Sequence, residues 1–423
     1  MAQAGLPLTD WLRRLETLSP HEIELGLDRV LEVLDRMALD RPSRVIHVAG
    51  TNGKGSSVAM LQSLLSAPDT IVGTYTSPHV IHYNERIRIN GEPAGDSEIV
   101  AAFEHVEAAR NDIALTYFEY GTLAAMAVFD AMNVDTAILE IGMGGRLDAV
   151  NAVEPDAGLI TNVSLDHCEW LGNDIESIGF EKAGIMREGE PVVFADPDVP
   201  ASVQAQADKI GASLILAGRD YTWTVADDGG WSWRGQRHEL PSLARPSLAG
   251  DIQMHNAAGV LALIEGLGLD SLLAPAIVDA AFGRLSLAGR MQSLKCGHDW
   301  LFDVAHNPAA ATALAATLRR SASTPTVAIV GMLDDKDVEG VAAPLAGIVD
   351  HWIAVTAASP RAIDAAELGR RIANATNKAC LIADTHKAAI DNAREFAGGD
   401  GRVLVTGSFY VVGPMLERLS ACD

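Results

Sequence analysis

Arg44-Val-Ile-His-Val-Ala-Gly-Thr-Asn-Gly-Lys-Gly-Ser-Ser-Val-Ala-Met60 is the stretch from which the fold can be read. Val45, Ile46, Val48 and Ala49 form a short apolar run that suits a buried parallel strand. Gly50, Gly53 and Gly55 then allow a tight turn whose N–H groups can approach an anion. A helix is expected from about Ser56, with its positive end at the turn. Lys54 adds a mobile cation. These parts describe a phosphate-binding loop. Two departures from the general G-x-x-x-x-G-K-[ST] pattern stand out: Val48 replaces the first glycine, and Gly55 replaces the residue after the lysine. The competing reading is a plain strand-to-helix turn with a surface lysine.

Working outward, strand and helix signals alternate. Residues 9 to 40 read as broken helix, with Ser19-Pro20 and Gly26 as breaks. Strands are expected at Thr70 to Tyr75, Asp135 to Ile141, Gly158 to Asn162 and from Pro191 to Phe194. Helices are expected between them, including Glu98 to Arg110 and Ile178 to Ile185. This is the pattern of an α/β domain, a mostly parallel sheet with helices on both faces. Tyr221 to Arg234 alternates tryptophans with polar residues and reads as a small antiparallel insertion near 220–240. Alternation restarts after Gly289-Arg290, with strands at Trp300 to His306, Thr326 to Val330, His351 to Val355 and Arg402 to Thr406. The expectation is a P-loop parallel-sheet domain over 1–288, a hinge at 289–297, and a smaller Rossmann-like α/β domain over 298–423.

Composition narrows the class. The 423 residues are 48% apolar, ample for two cores, and the formal charge is −24. That charge argues against a nucleic-acid partner, which demands clustered Lys and Arg. Arg86 and Arg88 are the candidates for a local basic patch. Cys168, Cys296, Cys380 and Cys422 make no close pair, which suits free thiols in a reducing compartment. The N-terminus has no signal-peptide pattern, and no apolar run reaches membrane-spanning length. The expectation is a soluble, cytoplasmic protein with no membrane partner.

Polar residues follow several expected strands: Lys54 and Ser56, Ser77, Glu140, His167, then Asp303 and His306. Parallel strand ends gather along one edge, where ligands bind. Glu140 closes an apolar strand and is a candidate ligand for Mg²⁺ beside phosphate oxygens; the bland reading is a cap on the glycine-rich turn after it. His167 alone is the weaker candidate, since a single histidine is more often a satisfied structural residue than a ligand. By pattern, Lys182 is an exposed helix lysine and Asn256 is an N-cap, while Arg290 and Asp303, on either side of the expected hinge, could equally reach a ligand in an interdomain cleft or form a structural ion pair.

The motifs together resemble the Mur ligase superfamily, and within it the folylpolyglutamate synthase and dihydrofolate synthase family. The carriers are Gly-Thr-Asn-Gly-Lys-Gly-Ser at 50–56, Thr-Ser-Pro-His at 76–79, Leu-Thr-Tyr-Phe-Glu at 115–119, Glu-Ile-Gly-Met-Gly-Gly-Arg-Leu-Asp-Ala at 140–149 and Leu-Asp-His at 165–167. Glu-Lys-Ala-Gly-Ile at 181–185, Asp-Val-Ala-His-Asn-Pro at 303–308, Gly-Met-Leu-Asp-Asp-Lys-Asp at 331–337 and Gly-Ser-Phe at 407–409 complete the set. They run in family order, and the Lys-Gly-Ser ending of the loop is itself a family trait. One departure is Phe-Tyr-Val-Val at 409–412, where many relatives read Phe-His-Thr-Val.

The resemblance implies ATP as co-substrate, with phosphates held by Thr51, Asn52, Gly53, Lys54, Gly55 and Ser56. It implies two Mg²⁺ sites, one on Ser77 and Glu140, the other on His167 and a carbamylated Lys182. Asn256, Arg290 and Asp303 match nucleotide contacts. Thr116, Leu147, Asp148 and Ala149 match pterin-side contacts, and His306 the glutamate side. The implied activity joins L-glutamate to dihydropteroate and to reduced folates through an acyl phosphate, in a monomer. The competing functions are a Mur-type ligase acting on a UDP-muramyl substrate and a non-catalytic P-loop nucleotide-binding protein.

Overall fold

The computed structural model describes residues 5–18, 24–226, 229–320 and 325–420. They form two units, each with its own sheet. The first holds the chain up to His79, Tyr83–Pro246 and His255–Leu285. The second holds Val80–His82, Ser247–Met254 and the chain from Ser286 onward. Ser19-Pro20 and Cys422 lie outside the described residues.

The first unit is built on strands β1 (Arg44–Ala49), β2 (Val72–Tyr75), β3 (Ile87–Ile89), β4 (Glu92–Pro93), β5 (Thr136–Glu140), β6 (Ala157–Ile160), β7 (Pro191–Phe194) and β8 (Ser213–Leu216). Among the described residues their order is β4-β3-β2-β5-β1-β6-β7-β8. The run from β2 to β8 is parallel, while β3 and β4 pair antiparallel at one edge. Val45, Ile46, Val48 and Ala49 are fully buried, because helices cover both faces of a parallel sheet. Register puts Val48 beside Glu140, Ala49 beside Ile160 and Tyr75 beside Leu139. The C-terminal ends of β2, β5, β1 and β6 therefore stand side by side, and the chain's order reverses around β1, the place where such sheets bind ligands.

The insertion is a three-stranded sheet, β9 (Thr222–Val225), β10 (Trp231–Arg234) and β11 (Glu239–Leu243). Its tryptophans are packing groups. Trp231 and Trp233 are buried, and Trp233 Nε1 donates to the Ala258 carbonyl at 3.1 Å. The turn after β10 aims three successive amides, of Gln236, Arg237 and His238, at the Glu265 carboxylate over 2.8–2.9 Å. Both anchors lie on the helix Ile252–Gly266.

The second unit's sheet has the order β12-β13-β17-β14-β15-β16, from β12 (Gln292–Lys295), β13 (Asp299–Phe302), β14 (Thr326–Val330), β15 (His351–Val355), β16 (Cys380–Ala383) and β17 (Arg402–Thr406). Within this sheet only the β12–β13 pair is antiparallel among the described residues. Alternate residues feed opposite cores. Val327, Ile329, Val403 and Val405 pack on one side, and Ala328, Val330 and Leu404 on the other.

Two expectations fail here. Asn256 is not an N-cap: the helix starts at Ile252 and Asn256 lies inside it, 1% exposed. Arg86 is no surface patch: it is 8% exposed, its guanidinium held among aromatic rings.

Candidate active site

The loop after β1 is shaped by contacts a side chain would prevent. Gly50 has φ +143°, and a Cβ there would lie 1.8 Å from Thr161 Oγ1. Gly53 has φ +87°, and its Cβ would lie 2.6 Å from Asn256 Oδ1. Gly53 caps the helix Lys54–Leu65. The loop is tied to the segment after β6. Thr51 N donates to the Asn162 carbonyl at 3.0 Å, and Asn52 N to Asn162 Oδ1 at 3.0 Å. Thr161 Oγ1 and Asn162 Nδ2 both donate to the Asn52 carbonyl, at 2.6 and 3.0 Å. Ser164 N donates to Thr51 Oγ1 at 3.0 Å. Pattern reading did not single out Thr161 or Asn162; their signal was a polar pair ending an apolar strand. Lys54 Nζ rests on the carbonyl oxygens of Gly50 and Thr51, at 3.1 and 3.3 Å, so its charge stays over the loop.

Glu140 ends β5 beside this loop. It is 4% exposed, its Oε2 accepts the Ser77 amide at 3.2 Å, and a Cβ on Gly55 would lie 3.7 Å from that oxygen. The carboxylate serving the following glycine-rich turn is Asp148, which accepts from Met143 N at 2.8 Å and from Val150 N at 3.0 Å. Burial pushes the Asp148 carboxyl up to about 7, against the pull of those amides and of the Lys54 charge.

Lys182 is buried, at 3% exposure, near the end of the helix Ile175–Ala183; the exposed-lysine reading was wrong. Close packing puts it there. A Cβ on Gly145 would lie 2.8 Å from the Glu181 carbonyl, and a Cβ on Gly184 would lie 2.4 Å from the Arg146 backbone. Arg146 N donates to the Glu181 carbonyl, and Arg146 Nη2 pairs with Glu181 Oε1 at 2.8 Å. Burial lowers the Lys182 amine to about 7, and the Lys54 charge adds to that; Asp166 and Asp148 oppose it. His167 follows with φ +51° and starts the short helix Cys168–Leu171, its amide donating to Asp166 Oδ1 at 2.9 Å.

The expected pterin-side residues have architectural contacts. Thr116 caps the helix Tyr117–Ala131 in a capping box with Glu119, by bonds of 2.7 and 3.2 Å. The Phe118 ring lies where a Cβ on Gly142 would be, 2.5 Å from its Cζ. The Leu147 carbonyl accepts Gly26 N at 3.3 Å, and buried Ala149 opens the 3₁₀ turn Ala149–Ala152 that Asp148 caps.

In the second unit the charges of Arg290 and His306 both act on Asp303. Asp303 accepts from Met291 N and Ala305 N, at 3.0 and 2.9 Å, and burial raises its carboxyl despite the Arg290 charge. The Arg290 guanidinium lies 5.2 Å from the centre of the Phe409 ring, and His306 Nδ1 is 2.8 Å from the Val304 carbonyl. Lys336, only 9% exposed, sits 3.3 Å from Asp335, which also takes Arg361 at 3.0 Å. Lys336 lies in the 331–337 motif, to which sequence reading attached no role.

No cluster of three or more His, Cys, Asp or Glu arranged for a metal occurs among the described residues. The expected ligands contain one carboxylate and one imidazole, so they fit a hard cation only together with a hydroxyl, phosphate oxygens and a modified Lys182. The buried Glu140 beside Ser77 suits the first such site, and a buried amine of lowered basicity suits carbamylation at the second.

Comparison with known proteins gives the class first. The family model described as Mur ligase middle domain matches residues 48–264, and that described as Mur ligase, glutamate ligase domain, matches 289–409. The dihydrofolate synthase/folylpolyglutamate synthase of Escherichia coli K12 is 39% identical over 421 residues, covering 99% of this chain and 97% of that one. The solved structure titled E. coli FolC in complex with DHPP and ADP superposes with a TM-score of 0.93 at 38% identity, covering 100% and 99% of the two chains. A Yersinia pestis bifunctional folylpolyglutamate synthase/dihydrofolate synthase, complexed with AMPPNP and Mn ion, gives 0.89 at 37% identity over 99% and 100%. The chain belongs to the dihydrofolate synthase/folylpolyglutamate synthase family of Mur ligases. It is an enzyme, an ATP-dependent ligase.

Proposed function

We infer that this enzyme joins L-glutamate to dihydropteroate and lengthens the glutamate tail of reduced folates. The observation that carries the reading is one sheet edge holding Lys54, Ser77 and Glu140, with the buried helix residue Lys182 under the influence of the Lys54 charge, in a chain that matches these synthases along its whole length. ATP is the co-substrate and a divalent metal ion accompanies it, in keeping with the ADP, AMPPNP and Mn found in the relatives' structures. The substrate carboxylate attacks the γ-phosphorus, ADP leaves, and an acyl phosphate forms. The glutamate α-amine then attacks the acyl carbon. A C–N bond forms, the C–O bond to phosphate breaks, and the ammonium proton is lost.

The residues divide this work. Thr51 to Ser56 line the phosphate site: Gly53 to Ser56 turn the open amides of the helix start towards it, Lys54 adds its charge, and the Thr51 and Asn52 amides fix the loop on Asn162. Mg²⁺, when bound, supplies positive charge beside the transferring phosphoryl group. Ser77 and Glu140 would hold one ion, and His167 with carbamylated Lys182 the other. The neutral Lys182 amine adds CO₂ with loss of a proton, giving a carbamate of charge −1. Asn256, Arg290 and Asp303 are assigned to the nucleotide. Thr116 and Leu147 to Ala149 are assigned to the pterin end, and His306 to glutamate. The reading includes a monomer acting in the cytoplasm; no described helix is long and apolar enough to cross a membrane.

The test is incorporation of labelled glutamate with ATP and Mg²⁺ and, in separate arms, dihydropteroate, tetrahydrofolate and a UDP-muramyl substrate. Incorporation with both folate-type acids is expected. Turnover with the UDP-muramyl arm alone, or nucleotide binding with no glutamate-dependent ADP release, would overturn the reading.

A further inference from the structure

The segment Asn84-Glu85-Arg86-Ile87-Arg88-Ile89 carries a buried guanidinium to which the reaction above gives no role. Arg86 Nε donates to His79 Nδ1 at 2.9 Å. Its guanidinium carbon lies 5.4 Å from the centre of the Tyr83 ring and 5.4 Å from that of Tyr117. Those two rings meet edge to face, 6.1 Å apart. The Arg86 carbonyl accepts the Thr76 amide at 2.8 Å. A planar, weakly hydrated cation between aromatic faces is a role for Arg that Lys does not fill.

These contacts join two walls of the site. Thr76 and His79 bracket Ser77, whose amide reaches Glu140. Tyr117 opens the helix capped by Thr116, and the next residue, Phe118, lies against Gly142. The packing between loop and helix is tight. A Cβ on Gly121, one turn along that helix, would lie 2.9 Å from the hydroxyls of both Tyr75 and Tyr83.

We propose that Arg86 is a positioning residue for the ligase reaction, locking the loop that presents Ser77 to the helix start that presents Thr116. The proposal rests on the site assignment above. Through one buried group it couples the ordering of the metal–nucleotide side to that of the acid-substrate side. Loss of the planar fork leaves both walls intact but out of register, a small displacement to which aligned reactants are sensitive.

Arg86→Lys keeps the charge and removes the fork. The expected result is a folded protein whose Kd for Mn²⁺ in the presence of AMPPNP, by calorimetric titration, rises about tenfold, as for supports of metal ligands. KM for dihydropteroate rises by a similar factor, while KM for L-glutamate stays at the wild-type value. Tyr117→Leu removes one aromatic face and leaves the His79 bond; the same two constants rise, by less. A folded Arg86→Lys with both constants at wild-type values overturns the proposal, as does a uniform rise in all three. Should Arg86→Lys not fold, the Tyr117→Leu constants give the answer by the same split. Wild-type glutamate incorporation that needs neither dihydropteroate nor a reduced folate would overturn the functional reading itself, and it shows before any variant is made.

Discussion

Lys182 is buried where an ammonium ion is poorly solvated and where Lys54 adds a second positive charge. Conversion to a carbamate reverses its sign and gives it oxygen donors. Lys182→Ala should therefore lose nearly all glutamate incorporation, and bicarbonate should not restore it. A small carboxylate such as acetate, able to occupy the vacated space, should restore part. Full activity in Lys182→Ala without additive would remove the residue from the site. Lys54→Ala and Glu140→Ala should each lower kcat by at least about 100-fold, the scale of removing one preorganised electrostatic group. Steady-state ADP release with dihydropteroate checks this, and near-normal rates in either variant would refute the assignment.

At the scale of elements, the β9–β11 sheet is fastened to the helix that carries Asn256. Glu265 is one fastening, beside the bond from Trp233 to the Ala258 carbonyl. Burial alone would raise its carboxyl, but the amides of Arg237 and Gln236 and the His238 ring and amide hold it below the ordinary value of 4.5. A carboxylate with a depressed folded-state pKa contributes stability that is full above its unfolded pKa and is lost as pH falls through the folded one. Glu265→Gln should be less stable than wild type by about 2 kcal/mol at neutral pH, the usual range for a charged hydrogen-bonded group. The gap should close as pH drops below about 4.5. Urea unfolding at pH 7 and pH 3.5 measures it; an equal gap at both pH values would show that the charge contributes nothing.

For the whole molecule, each unit has its own sheet and its own apolar cores. Chains of this kind depart from all-or-none unfolding. Scanning calorimetry should give a van't Hoff enthalpy below the calorimetric one, with a peak that resolves into two transitions. Equal enthalpies and a single symmetrical peak would show that the units melt as one.

The parts legible in the sequence alone are those that depend on neighbours along the chain. The apolar run before Gly50, the glycines of the turn, the helix after Lys54 and the alternation that follows are local signals, and strands such as Thr326–Val330 and Arg402–Thr406 fall where they were expected. The short strands at the sheet margins, β3 and β4 on one side of the first sheet, β8 on the other, and β12 and β16 in the second, carry few residues for a pattern and lie outside the expected set. The ordered motifs named the family because they record chemistry rather than geometry. Tertiary structure alone decided which distant residues meet. Asn52 and Asn162, 110 positions apart, clamp the phosphate loop. Asn256 became a wall of that loop, Asp148 the partner of the glycine turn, and Arg86 a buried bridge between rings. Lys182 looks exposed by its local pattern and is buried because Gly145 and Gly184 allow two backbones to touch. Burial and charge environment come from contacts across the fold, and no local pattern encodes them.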